Sequence, residues 1–89
     1  MKHYEQINDI RTINNDTKHF VWHKDKYDRV IYIIDGFDWF LQMEHEIPYK
    51  MRKNQNQYIK KEVWHRIFCT NSNEDNDLVI SILELNEEK

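Results

Sequence analysis

The 89-residue chain contains no alanine, one glycine (Gly36), one proline (Pro48) and one cysteine (Cys69). A lone cysteine closes no internal disulfide, so the framework of a small secreted disulfide protein is excluded. No apolar run approaches the roughly 20 residues that a membrane helix requires. No apolar segment follows Met-Lys-His-Tyr-Glu at the start, and the expectation is a cytoplasmic protein without a secretory signal. Glycine-rich phosphate loops and other cofactor signatures are also missing. No cofactor is expected, and neither a catalytic residue nor a metal-ligand set is assigned; the reading is non-enzymatic.

What is present bounds the rest. Apolar residues make up 39% and charged residues 33%, too hydrophobic and too aromatic for intrinsic disorder. A chain of this length forms one domain, residues 1 to 89, with a modest core that burial in a homodimer would extend. The formal net charge of −3 neither attracts nucleic acid globally nor imitates it. Residues with AT-rich codons abound, as in the coding of an AT-rich bacterium, phage or mobile element.

The tripeptide Val-Trp-His occurs twice, at Val21-Trp22-His23 and at Val63-Trp64-His65. Each copy precedes a polar stretch and then a Val-Ile-x-Ile run, Val30 to Ile33 and Val79 to Ile82, which reads as two β-hairpins. The expected strands cover residues 18 to 24, 29 to 34, 37 to 43, 58 to 69 and 78 to 85. Asp35-Gly36 should form a tight hairpin that folds residues 37 to 43 against 30 to 34. Tyr4, Ile7, Ile10 and Ile13 recur every three residues, which predicts an amphipathic helix over residues 3 to 14. Residues 49 to 69 fit either a helix after Pro48 or a turn and strand; Asn54 to Gln57 and the second Val-Trp-His favour the strand. The expected fold is therefore α+β, a short N-terminal helix packed on an antiparallel sheet of about five strands, with a small β-barrel as the variant.

Candidate functional residues fall into two groups. His19 with His23, and His65 with Cys69, have metal-compatible donors, but on strands the members of each pair lie about 13 Å apart at roughly 3.3 Å per residue. Neither pair chelates locally; one ligand from each strand can still meet across the sheet. The second group comprises the aromatic surplus, Trp22, Trp39, Trp64, Tyr49 and Tyr58, with the basic Lys50, Arg52, Lys53, Lys60 and Lys61. Tryptophan and tyrosine concentrate in protein interfaces, while a basic segment with interleaved rings suits single-stranded nucleic acid. The expectation is a small soluble protein-binding module, an inhibitor from a phage or mobile element that blocks a host nucleic-acid enzyme or defence protein. Single-strand binding through residues 49 to 61 and a zinc-stabilised module are the alternatives. No membrane partner is expected.

Overall fold

The computed structural model describes residues 3–14, 20–71 and 75–88. Among these residues, seven strands form two antiparallel sheets. One has the order β1–β7–β2–β5, and the other β4–β3–β6. Strand β1 spans His3–Ile13, β2 Asp28–Asp35, β3 Trp39–Met43, β4 Tyr49–Lys50, β5 Asn56–Ile59, β6 His65–Cys69 and β7 Leu78–Glu88. The expectation of an α+β fold is corrected, because the described residues contain no helix.

The N-terminal segment is a strand because β7 gives it a continuous partner, in register from His3 opposite Glu88 to Ile13 opposite Leu78. Three of the four residues in the three-residue spacing are isoleucines, whose branched Cβ favours extended backbone. Ile10 is 70% exposed, whereas a helix would have turned it toward the core.

Strands β2 and β7 lie where the Val-Ile-x-Ile runs place them, but they pair with each other as neighbours in one sheet. The inward positions are Ile31 and Ile33 on β2, and Leu78, Ile80 and Ile82 on β7. Trp39, Leu41 and Met43 from β3 close over them from the other sheet, joined by Met51 and Ile59 in a single cluster. The period-2 alternation of β3 thus stands, with Trp39 buried and Phe40 half-exposed.

Asp35-Gly36 makes no hairpin. It carries the chain from one sheet to the other, so β3 pairs with β4 and β6. Gly36 is needed there for close approach: a Cβ would lie 3.1 Å from the Asp77 carbonyl oxygen and 3.2 Å from both Leu78 Cα and Trp39 Cδ1, at φ +121°. Asn76, itself buried, fastens the same crossing. Its Oδ1 accepts from the Phe37 amide at 3.0 Å, its Nδ2 donates to the Phe37 carbonyl, and its carbonyl accepts from Trp39 Nε1 at 3.2 Å. The single strand expected over 58 to 69 is divided. β5 belongs to one sheet and β6 to the other, and between them Glu62 turns the chain at φ 62°.

Candidate metal centre

The two Val-Trp-His copies meet. The His23 amide donates to the His65 carbonyl at 2.9 Å and the His65 amide to the His23 carbonyl at 2.8 Å, an antiparallel bridge. Residues opposed in such a pair project their side chains to the same side. The imidazoles accordingly converge, with ring centroids 4.3 Å apart. By the same alternation the preceding tryptophans point away, and Trp22 and Trp64 are 42% and 43% exposed. Each lies under a cation: Arg66 is 5.1 Å from the Trp22 centroid and Lys24 is 5.6 Å from that of Trp64.

Each histidine is oriented by its own tripeptide. His23 Nδ1 donates to the Val21 carbonyl at 3.0 Å, and His65 Nδ1 to the Val63 carbonyl at 2.8 Å. A carbonyl oxygen only accepts, so the proton of each neutral ring is on Nδ1 and Nε2 carries a lone pair. Burial, chiefly, holds the His65 pKa below 6.5, with the neighbouring His23 and Arg29 acting in the same sense; the Val63 hydrogen bond and Asp25 oppose them. Neutral His65 is thereby favoured.

Asp25 completes the cluster. One ligand atom from each of His23, Asp25 and His65 lies within 4.8 Å of the others. Asp25 Oδ2 is 3.1 Å from His65 Nε2, yet it is buried and accepts no hydrogen bond among the described residues. The two facts agree once the ring proton is on Nδ1, because the contact is then lone pair against lone pair. Arg29 holds the other oxygen, with Nη1 3.3 Å from Asp25 Oδ1. Its remaining nitrogens face Glu84 Oε2 across the β2–β7 ladder, Nε at 3.2 Å and Nη2 at 3.0 Å. The Asp25 carbonyl accepts from the Glu62 amide at 2.8 Å, which ties the segment before β6 to the carboxylate's own backbone.

These groups line a cavity of about 300 Å³ between the sheets. Ile31, Ile59, Ile67, Ile80 and Ile82 wall it, and Arg11 stands at its edge. Asp25, Arg29 and Arg11 join His23 and His65 at this cavity and are absent from the residues picked out in the sequence. His23-x-Asp25 beside the second Val-Trp-His was the available signal, but Asp25 falls in the polar stretch between the expected strands.

Of the four metal-compatible residues picked out in the sequence, the structure brings His23 and His65 together and puts Cys69 elsewhere. The Cys69 thiol donates to the Asn71 carbonyl at 3.2 Å and accepts from Asn76 Nδ2 at 3.3 Å. His19 is outside the described residues. The aromatic and basic residues are scattered: Trp39 is fully buried, Tyr49 half-buried and Tyr58 exposed. Burial, chiefly, with a contribution from Glu46, raises the Tyr49 pKa above its ordinary value. Lys50 lies 3.3 Å from Asp38 and Lys53 4.0 Å from Asp35, and these two are exposed, as are Arg52, Lys60 and Lys61. The segment from Tyr49 to Lys61 crosses from one sheet to the other and forms no single strand.

No family model and no curated protein matches the chain. Solved structures do. A protein from Neisseria meningitidis superposes with a TM-score of 0.69 at 19% identity, over 94% of this chain and 84% of that one. A cupin-2 domain containing protein from Shewanella frigidimarina gives 0.59 at 16% identity, over 96% and 71%. The Fe(II) form of HppE in complex with substrate gives 0.70 at 4% identity, over 89% of this chain and 45% of that one. The fold is cupin-like. This corrects the expectation of a phage or mobile-element inhibitor with its anti-defence role, since the similar folds are cupin-type and the clustered polar chemistry faces an interior cavity. A substrate-bound protein among them, at an identity that shows the fold alone, gives the non-enzymatic reading no support. No helix among the described residues is long and apolar enough to cross a membrane.

Proposed function

We propose that this cupin-like protein binds a divalent first-row transition metal through His23 Nε2, His65 Nε2 and the Asp25 carboxylate, and uses it to engage a small molecule in the adjoining cavity. The observation that carries the proposal is the buried Asp25 oxygen, without a hydrogen bond, facing an imidazole lone pair at 3.1 Å. Two acceptors at that distance repel, and a cation between them converts the contact to attraction. Metal–ligand distances of about 2.0–2.2 Å place neighbouring ligand atoms roughly 3 Å apart, which the 3.1 Å separation meets. Two imidazoles and one carboxylate suit iron, cobalt, nickel or zinc better than magnesium or calcium, which prefer all-oxygen shells. Three protein ligands leave coordination positions open, and an ion held there supplies Lewis acidity to a bound small molecule.

The supporting groups fit the same role. The Nδ1 bonds to Val21 and Val63 fix ring orientation and tautomer, and Arg29 clamps the carboxylate so that Oδ2 faces the rings. Titration of the metal-free protein with Co(II) or Zn(II), followed by calorimetry and elemental analysis, tests the reading. One ion per chain is expected, with affinity lowered at least tenfold by His23→Ala and by Asp25→Asn. Absence of stoichiometric metal, or unchanged affinity in both variants, would sink it.

A further inference from the structure

We infer that the cavity takes a small amphipathic monoanion, a carboxylate on a short branched apolar body, with Arg11 gripping the carboxylate at the edge of the cavity and isoleucines enclosing the body. The inference rests on the metal reading for its charge balance, and on Arg11 and the cavity walls for everything else.

Arg11 lies opposite Ile80, which in turn lies opposite Ile33, and both isoleucines are buried. It therefore sits on the inward row of β1, the edge strand beside the cavity. Its Nε donates to Asp9 Oδ2 at 2.8 Å, and its terminal nitrogens have no protein partner among the described residues. Asp9 thus steadies the guanidinium and leaves its Nη edge, two parallel donors matched to a carboxylate, open. Arg29 is different, since all three of its nitrogens face Asp25 or Glu84.

Charge supports an anion. Asp25 and Glu84 against Arg29 leave one surplus negative charge, which a divalent ion turns into one surplus positive charge; the Arg11–Asp9 pair is neutral. A single anionic group on the ligand restores balance. The walls set its body, because Ile31, Ile59, Ile67, Ile80 and Ile82 offer methyl surface and no hydrogen bonds. A volume of about 300 Å³ is at the small end for ligand pockets, which run from about 300 to 1,000 Å³. Arg11 is exposed, its side chain at 54%, so the head group keeps contact with water while the body is enclosed.

The experiment uses 3-methylbutanoate and its neutral isostere 3-methylbutanamide as probes on the zinc-treated full chain, read by NMR of isoleucine methyl groups. The acid is expected to shift the cavity methyls saturably and to bind roughly tenfold or more tightly than the amide; Arg11→Gln should remove that advantage and leave amide binding unchanged. Zinc uptake by both proteins, measured alongside, should be equal. Equal binding of acid and amide, an acid affinity insensitive to Arg11→Gln, or no methyl shifts would overturn the inference. If zinc is not taken up but the acid binds in an Arg11-dependent way, the metal reading fails and the anion site stands. Zinc uptake without acid binding means the reverse.

Discussion

Asp25 Oδ2 and His65 Nε2 face each other at 3.1 Å, both buried and both acceptors. A contact that costs energy in the metal-free chain is the contact a cation would use.

Asp25→Asn separates binding from stability. The carboxamide can donate to His65 Nε2, so the metal-free variant should be more stable than the parent by roughly 1 kcal/mol, less whatever is lost to Arg29. Its gain from added metal should be small, whereas the parent should gain about 2.7 kcal/mol at a free metal concentration of 100 Kd. Thermal melts of both proteins with chelator and with Zn(II) measure the two effects. A parent indifferent to Zn(II) contradicts the expectation.

Acid should weaken the metal-free fold through His65. Its folded pKa lies below the unfolded value of 6.5 because burial disfavours the imidazolium. Between the two values the unfolded chain holds a proton that the folded chain does not. This contribution is therefore complete above about pH 6.5 and declines as the pH falls toward the folded pKa, below which the group adds no further loss. Urea midpoints from pH 7.5 to 4.5, compared with His65→Gln, isolate it: the variant should show a flatter profile.

Gly36→Ala should destabilise by about 2 kcal/mol or more, since its Cβ would press on backbone atoms of Asp77 and Leu78 at a φ that L-residues rarely adopt. Chemical denaturation gives the value. A change under 0.5 kcal/mol would show that the crossing relaxes easily.

Asn76→Ala leaves the Phe37 amide and carbonyl without their side-chain partners beside Trp39, and roughly 2–3 kcal/mol is expected. Fluorescence of Trp39, the buried tryptophan, should move to the red if the crossing loosens.

Local pattern recovered the strands whose alternation is complete. β2 and β7 declare themselves through Val30 to Ile33 and Val79 to Ile82, and β3 through Trp39, Leu41 and Met43. Of the turn expected over Asn54 to Gln57, Asn54 turns the chain at φ 68°, whereas Asn56 and Gln57 already belong to β5. Pairing was not legible. Isoleucines at spacing three fit a helix until β7 provides a long ladder, and Asp35-Gly36 fits a hairpin until the close approach to Asp77 and Leu78 shows why glycine is there. At the site the repeat was visible but its geometry was not, because two distant tripeptides must first become neighbours before His23 and His65 share a side. Asp25 had no signature of its own, since its significance comes from the ring it faces.

The bridge between the two tripeptides has a consequence for how the molecule is assembled. The three candidate ligands come from either end of a long chain excursion that includes β2, β3, β4 and β5, so His23 and Asp25 lack His65 until β6 has docked. A cation held there would act as a removable crosslink, shrinking the freedom of the open chain much as a covalent tie does. Chelation would then lower the resistance of the whole intervening segment to proteolysis, and the rate of cleavage there would report how fully the cross-link is in place.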